Sequence, residues 1–353
     1  MATRRLSAPL RRPFRTSRRS VDCLEEIVVT VETDGHLLGL GAAPPTGLVT
    51  GDTAGSITAA LTDHIVPALI GRDAEDLEGN LAVLERSVVG NSSAKAAVDI
   101  ALHDLWAKVQ NRPLWALFGG TGRAIATDIT ISLNGPDEMA RDALQAVQDG
   151  YKALKIKVGA DAGLDMTRIG AVRQAVGSGP TLRLDANQGW TPREAVRLLD
   201  AMAEAGFAIE LVEQPVAAHD LEGMAYVTAR SPVPVVADES VWTSRDALEI
   251  FRRRAADLVN VKLMKCGGLA EAKRIIALAE TFGAGVMFGC MLEGKISAAA
   301  AVHLASARRA VTVIDLDGPL LCSEDPYEGG PRFIGPEIIP STEPGLGIGR
   351  IRG

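Results

Sequence analysis

No apolar run in the 353 residues approaches the roughly 20 positions that a spanning helix needs, so no membrane role is expected. Cysteine is scarce. Its four residues (Cys23, Cys266, Cys290, Cys322) are scattered and form no C-x-x-C pair. Disulfides and structural zinc are therefore not expected, and the chain suits a reducing cytoplasm. Acidic residues are absent from positions 1–20, which carry seven Arg; with the chain at −7 overall, the rest is at −14. So acidic a body excludes a nucleic-acid-binding surface. The basic start does not read as a transit peptide. Pro9, Pro13 and the polar stretch at 16–20 break an amphipathic helix, and no apolar core follows. Glycine-rich phosphate loops are also missing, since no Walker A or Rossmann pattern follows a strand. The five histidines (His36, His64, His103, His219, His303) fall outside every expected strand end and read as structural or exposed.

Apolar residues make up 47% of the chain, enough for one large barrel core plus a smaller domain. Residues 24–32 are apolar and β-branched, Asp34-Gly35 marks a hairpin turn, and 36–41 return. A Pro- and Gly-containing loop covers 43–52. Helices are expected near 53–70, 74–87 and 93–108, the last with Ser93 as N-cap. From Thr127 the pattern becomes strand–helix alternation. Eight strands are expected at 128–133, 153–158, 181–185, 209–213, 233–238, 258–263, 285–289 and 311–315, several apolar throughout as buried parallel strands are.

Charged residues recur at the ends of these strands. Lys157 is followed by Asp185, Glu213, Asp238 and Lys262 at gaps of 28, 28, 25 and 24, and then by Asp315 after 53. That rhythm of one helix plus one strand is the signature of a (β/α) barrel, whose chemistry sits at the C-terminal strand ends. Asp185, Glu213 and Asp238 end adjacent strands and converge above the barrel. Three unpaired acids there would repel, and Mg2+ relieves that repulsion. The alternative is three separate caps or surface acids.

Lys155 and Lys157 alternate onto the same inward side of one strand. Crowding them beside a divalent cation is expected to lower the pKa of at least one, making a base; alternatively both pair with the acids of the next strand. Lys262 ends the sixth strand, opposite the second, and would face Lys157 across a substrate. Lys265 is placed in the following loop. Asp315 and Asp317 also point inward and ask for a positive charge, which a substrate ammonium would supply. A cap, or a salt bridge to Lys295, is the plainer reading.

The motifs KIK, DAN, VEQP, ADES and VKLMKCGG, in that order, resemble the enolase superfamily in its muconate-lactonising-enzyme-like subgroup. SSAKAAVDIALHDLWAK and PLWALFGG extend the resemblance over nearly the whole chain. It implies a (β/α)7β barrel at 123–319, an α+β capping domain at 1–122, and a C-terminal segment at 320–353 that returns to the cap. It also implies one Mg2+, with Mn2+ as a substitute, and abstraction of the proton α to a carboxylate. By this resemblance Asp185, Glu213 and Asp238 are the metal ligands, Lys157 and Lys262 the two acid/base catalysts, and Lys155 the residue that tunes Lys157.

DLDGP at Asp315–Pro319 is similar to the dipeptide epimerases, in which the two aspartates bind a dipeptide's ammonium. The stretches 11–20 and 43–53 resemble their specificity loops. Arg19 looks like the arginine that meets a substrate carboxylate, although Arg18 beside it is also basic. The implied reaction is epimerisation of L-Ala-D/L-Glu or a similar acidic dipeptide. The expected partners are that small substrate and, in a homo-oligomer, copies of the chain. N-acylamino-acid racemase, o-succinylbenzoate synthase and cycloisomerase activities share the same metal and lysines. The Asp315/Asp317 pair disfavours them, because an acylated nitrogen carries no charge. A Schiff-base aldolase needs no metal, and a non-catalytic binding protein would not need the full catalytic set.

Overall fold

The computed structural model describes residues 1–16 and 19–352. Strand β1 (Ala2–Arg15) pairs antiparallel with β2 (Ser20–Glu32), and β2 with β3 (Leu38–Ala43). The basic N-terminus, for which the sequence suggested no element, is thus an edge strand. Its ladder breaks between Pro9 and Phe14, where Pro9 and Pro13 have no N–H to give. The helix Ser92–Val109 lies against this sheet at backbone distance. A side chain at Gly41 would put its Cβ 1.7 Å from the Ala97 carbonyl oxygen, so only glycine permits the approach. That helix starts one residue earlier than expected; its cap is Asn91, which sits in the left-handed region, rather than Ser93.

Strand β4 (Ile125–Ala126) is followed by eight parallel strands paired in chain order: β5 (Ile129–Ile131), β6 (Ala153–Lys157), β7 (Thr181–Asp185), β8 (Ile209–Glu213), β9 (Val235–Ala237), β10 (Leu258–Val261), β11 (Gly285–Gly289) and β12 (Val311–Asp315). All eight expected strands are present, with β5, β6, β9 and β10 shorter. Lys262 therefore lies just past its strand, at the start of a short helix, Leu263–Cys266. Register carries the function. Lys157, Asp185 and Glu213 are cross-strand neighbours at one level, and Lys155 and Arg183 pair one layer beneath. Between β12 and the start of β5, single bonds tie the sheet's two ends: Asp128 N to Ile314 O (3.2 Å), Leu316 N to Thr127 Oγ1 (2.9 Å) and Thr130 N to Asp317 Oδ2 (2.8 Å).

The remaining strands are β13 (Tyr327–Gly329), β14 (Arg332–Ile334), β15 (Glu337–Ile339) and β16 (Ile348–Ile351). β13 pairs with β16, and β15 with both β14 and β4. The tail also touches the N-terminal sheet, through a Leu10–Cys322 bridge, and the helix Ser92–Val109, where Leu346 N donates to Asp104 Oδ1 at 2.8 Å. Among the described residues no helix is long and apolar enough to cross a membrane.

Candidate active site

The C-terminal strand ends open into a cavity. Seven of the nine residues singled out in the sequence line it: Arg19, Lys155, Lys157, Asp238, Lys262, Asp315 and Asp317. Asp185 and Glu213 lie just behind, fully buried, in contact with the lysines. Phe14 and Thr16 reach in from the N-terminal hairpin and Val49 from the loop at 44–53. Arg15 anchors that hairpin to the barrel: its carbonyl accepts from Leu133 N (3.0 Å) and its guanidinium donates to Asn134 Oδ1 (2.6 Å). Arg18 lies outside the described residues.

Lys155 is the hub. Its Nζ is 2.6 Å from Asp315 Oδ2, 2.7 Å from Glu213 Oε2 and 3.1 Å from Asp185 Oδ2. Lys157 Nζ is 2.6 Å from the same Asp185 oxygen, and Lys262 Nζ is 2.7 Å from Asp238 Oδ2. Burial alone would lower the Lys155 and Lys262 pKa values, but the facing carboxylates raise both. For Lys155 the expected lowering by crowding is therefore not seen, because the carboxylates around it outweigh the neighbouring ammonium groups. Burial works against charge on Asp185 and Asp238 as well. The lysines overcome it, and both carboxyls sit below the usual range. Glu213 goes the other way, pushed up to about 8 by burial and by Asp185.

The two aspartates at the end of β12, Asp315 in the strand and Asp317 just past it, are not equivalent. Asp315 is already met by Lys155, so the plainer reading of a bridge to Lys295 is wrong; Lys295 pairs with Asp325 instead. Asp317 accepts from Thr130 N and has no ion pair among the described residues. Burial, then Asp315, push its pKa up to about 6. Arg19 is the converse. Burial lowers its pKa, and among the described residues its guanidinium has no ion pair. Among the described residues, an acid and a base without ion pairs thus line one cavity.

Several residues at the site went unread in the sequence. Lys265 is not in a loop. It sits in the short helix Leu263–Cys266, fully buried, and donates to both Asp238 Oδ1 and the Asp238 carbonyl. Asn260 Nδ2 donates to Glu213 Oε1 at 2.7 Å. It lies two residues before Lys262, so strand alternation could have placed it inward. The same offset from Asp185 could have found Arg183, the cross-strand neighbour of Lys155, which pairs with buried Asp128 at 2.8 Å. Glu239, next to Asp238, also lines the cavity and accepts from Asn187 Nδ2 at 3.3 Å.

Among the described residues no three acidic, His or Cys side chains are already gathered into a metal-ligand set, since lysines stand between the carboxylates. The donor chemistry nevertheless fits a hard divalent cation. Six carboxylates (Asp185, Glu213, Asp238, Glu239, Asp315, Asp317) surround four ammonium groups (Lys155, Lys157, Lys262, Lys265), with the Arg19 guanidinium in the same cavity, leaving a formal excess of one negative charge. Beside them the buried oxygens Asn187 Oδ1 and Glu239 Oε2 have no hydrogen-bond partner. An all-oxygen set with that excess suits Mg2+ or Mn2+ rather than a thiolate or imidazole metal.

Gly289, at the end of β11, is required by this packing. A Cβ there would lie 2.6 Å from Asn260 Oδ1 and 2.9 Å from Lys262 Cε. Gly289→Ala is expected to destabilise the fold by about 1–3 kcal/mol through overpacking. By displacing Lys262 it should also lower kcat about 100-fold. Thermal unfolding together with steady-state rates checks this, and a near-wild-type kcat would show that Lys262 does not need its present position.

Residues 1–119 match the Mandelate racemase / muconate lactonizing enzyme, N-terminal domain family, and residues 138–350 match the Enolase C-terminal domain-like family. An L-Ala-D/L-Glu epimerase of Clostridium acetobutylicum is 51% identical over 343 residues, 97% of this chain and 96% of that protein. The substrate-liganded structure of the Bacillus subtilis L-Ala-D/L-Glu epimerase superposes with a TM-score of 0.97 at 44% identity, covering 98% of this chain and 97% of that one. The Enterococcus faecalis V583 dipeptide epimerase, in complex with Mg and L-Leu-L-Tyr, has a TM-score of 0.95 at 37% identity, covering 99% and 98%.

Proposed function

The chain belongs to the mandelate racemase / muconate lactonizing enzyme family of the enolase superfamily, and from that premise we propose that it is a Mg2+-dependent dipeptide epimerase. Its reaction inverts the carbon α to the substrate's C-terminal carboxylate. The observation that carries this reading is the pair of buried lysines, Lys157 from β6 and Lys262 after β10, the second and sixth barrel strands, at one cavity.

Asp185, Glu213 and Asp238 would hold the cation. When bound, Mg2+ supplies the positive charge that stabilises the substrate carboxylate as the α-proton leaves, and it draws the acids' charge away from the lysines. Inversion needs a base on one face and an acid on the other. A neutral lysine takes the α-proton, and the opposite ammonium returns one to the far face, so the roles of Lys157 and Lys262 reverse with the direction of reaction. Lys155 shares Asp185 Oδ2 with Lys157 and so sets the charge that Lys157 meets.

Asp317, with Asp315 beside it, takes the dipeptide's ammonium, and Arg19 takes an acidic side chain on the second residue. An Ala-Glu dipeptide supplies both partners. The C. acetobutylicum and B. subtilis relatives bear the name L-Ala-D/L-Glu epimerase, which supports an acidic substrate. Losing one partner of a desolvated charge pair costs about 2–5 kcal/mol, so Asp317→Asn should cut kcat/KM for the free dipeptide about 30-fold or more. An N-acetylated dipeptide should be a poor substrate, and Arg19→Met should penalise Ala-Glu far more than Ala-Leu. The test is kcat/KM for these substrates across the three proteins. If the acetylated dipeptide serves as well as the free one, the site is no ammonium site and an acylamino-acid racemase takes its place. An unchanged Ala-Glu to Ala-Leu ratio in Arg19→Met removes Arg19 from substrate recognition.

A further inference from the structure

Each of the three central carboxylates is held on one oxygen by a hydrogen-bond donor and turns the other to the central lysines. Asp185 Oδ1 accepts from Asn187 N at 3.0 Å, Glu213 Oε1 from Asn260 Nδ2 at 2.7 Å, and Asp238 Oδ1 from Lys265 Nζ. The second oxygens, Asp185 Oδ2, Glu213 Oε2 and Asp238 Oδ2, face Lys155, Lys157 or Lys262. For Asp185 the holder is backbone, and for Asp238 it is a charge whose removal would alter the site's field. Only at Glu213 is the hydrogen-bond donor a neutral side chain, with the Lys262 ammonium farther off at 3.9 Å from the same oxygen. Asn260 is fully buried on β10, and Gly289 leaves its amide the space it needs. Its own Oδ1 has no hydrogen-bond partner, an arrangement a core position would shed unless the N–H donors mattered.

We propose that Asn260 is a positioning residue for the divalent cation: its amide fixes Glu213 Oε1 and so presents Glu213 Oε2 to the ion. It touches neither substrate nor reacting atoms. The inference rests on the metal reading given above. Partners that orient a metal's carboxylate ligands typically contribute about 10- to 100-fold in metal affinity. Asn260→Leu keeps the shape and removes the donor. Asn260→Ala also removes it and cannot overpack, which covers the case in which leucine fails to fold.

The experiment is titration calorimetry of Mg2+ into metal-stripped wild type and both variants, without substrate, alongside kcat at saturating Mg2+. The expected result is an Mg2+ Kd raised about 10- to 100-fold in the folded variant. Most of kcat should return when Mg2+ is raised to saturation, since the lysines are intact. Wild-type affinity in a folded variant overturns the inference alone, as does a kcat defect that no amount of Mg2+ repairs. A wild type that binds no Mg2+ overturns the metal reading and this inference with it.

Discussion

Asp185→Asn, Glu213→Gln and Asp238→Asn should each lose epimerase turnover by about 1,000-fold or more while the protein stays folded. The size follows from what the site has to offset. Taking a proton from carbon beside an already ionised carboxylate places a second negative charge on the same group. Electrostatic stabilisation of such charge by a bound cation is worth several kcal/mol, and each 1.4 kcal/mol is tenfold in rate. Each substitution removes one of the charges that would hold the ion, yet keeps an oxygen to accept from the lysine opposite. Wild type stripped with EDTA should behave as the variants do, and Mg2+ or Mn2+ should restore it but not them. Circular dichroism and turnover on Ala-Glu measure both halves of this expectation. Undiminished turnover in excess EDTA would falsify it.

The second large effect separates the two lysines. Lys157→Ala should lose α-proton exchange from one epimer, and Lys262→Ala from the other. Each should lower interconversion about 100- to 10,000-fold, the usual contribution of a positioned acid or base. The argument is geometric, since a base on one face of a planar carbon reaches the hydrogen of only one configuration. The surviving lysine should still exchange its own epimer's α-proton with solvent. In Lys157→Ala, Asp185 keeps Lys155 at 3.1 Å, so the acids do not lose all compensation and the site should stay assembled. The readout is loss of the α-proton NMR signal in D2O, from each pure epimer, in each variant. A single variant that interconverts the epimers near the wild-type rate would remove that lysine from the mechanism.

The barrel and its charged rung were legible because a parallel barrel turns sequence spacing into spatial level. Lys157, Asp185 and Glu213 each end a strand, and register does the rest. Other features were hidden for particular reasons. Asn260 is one uncharged residue in an apolar strand, and nothing in its type says that it meets Glu213. Lys265 sits in a four-residue helix, too short for periodicity to show which way it faces. β1 carries five of the chain's arginines on exposed positions, and its core-facing alternation is limited to Leu6 and Ala8, too short to announce a strand; its partner β2 carries the stronger pattern. The division of labour between Asp315 and Asp317 was also out of reach. It depends on Lys155 reaching past β5 to Asp315, 160 positions away in sequence.

The most direct test of the whole account is to incubate wild type with L-Ala-L-Glu and Mg2+ in D2O and follow the dipeptide by mass and by chiral separation. The account predicts one deuterium, at the α-carbon of the glutamyl residue, appearing together with L-Ala-D-Glu and absent when EDTA is added. Recovery of L-Ala-L-Glu with neither deuterium nor inversion, while the enzyme is folded and loaded with Mg2+, would contradict it.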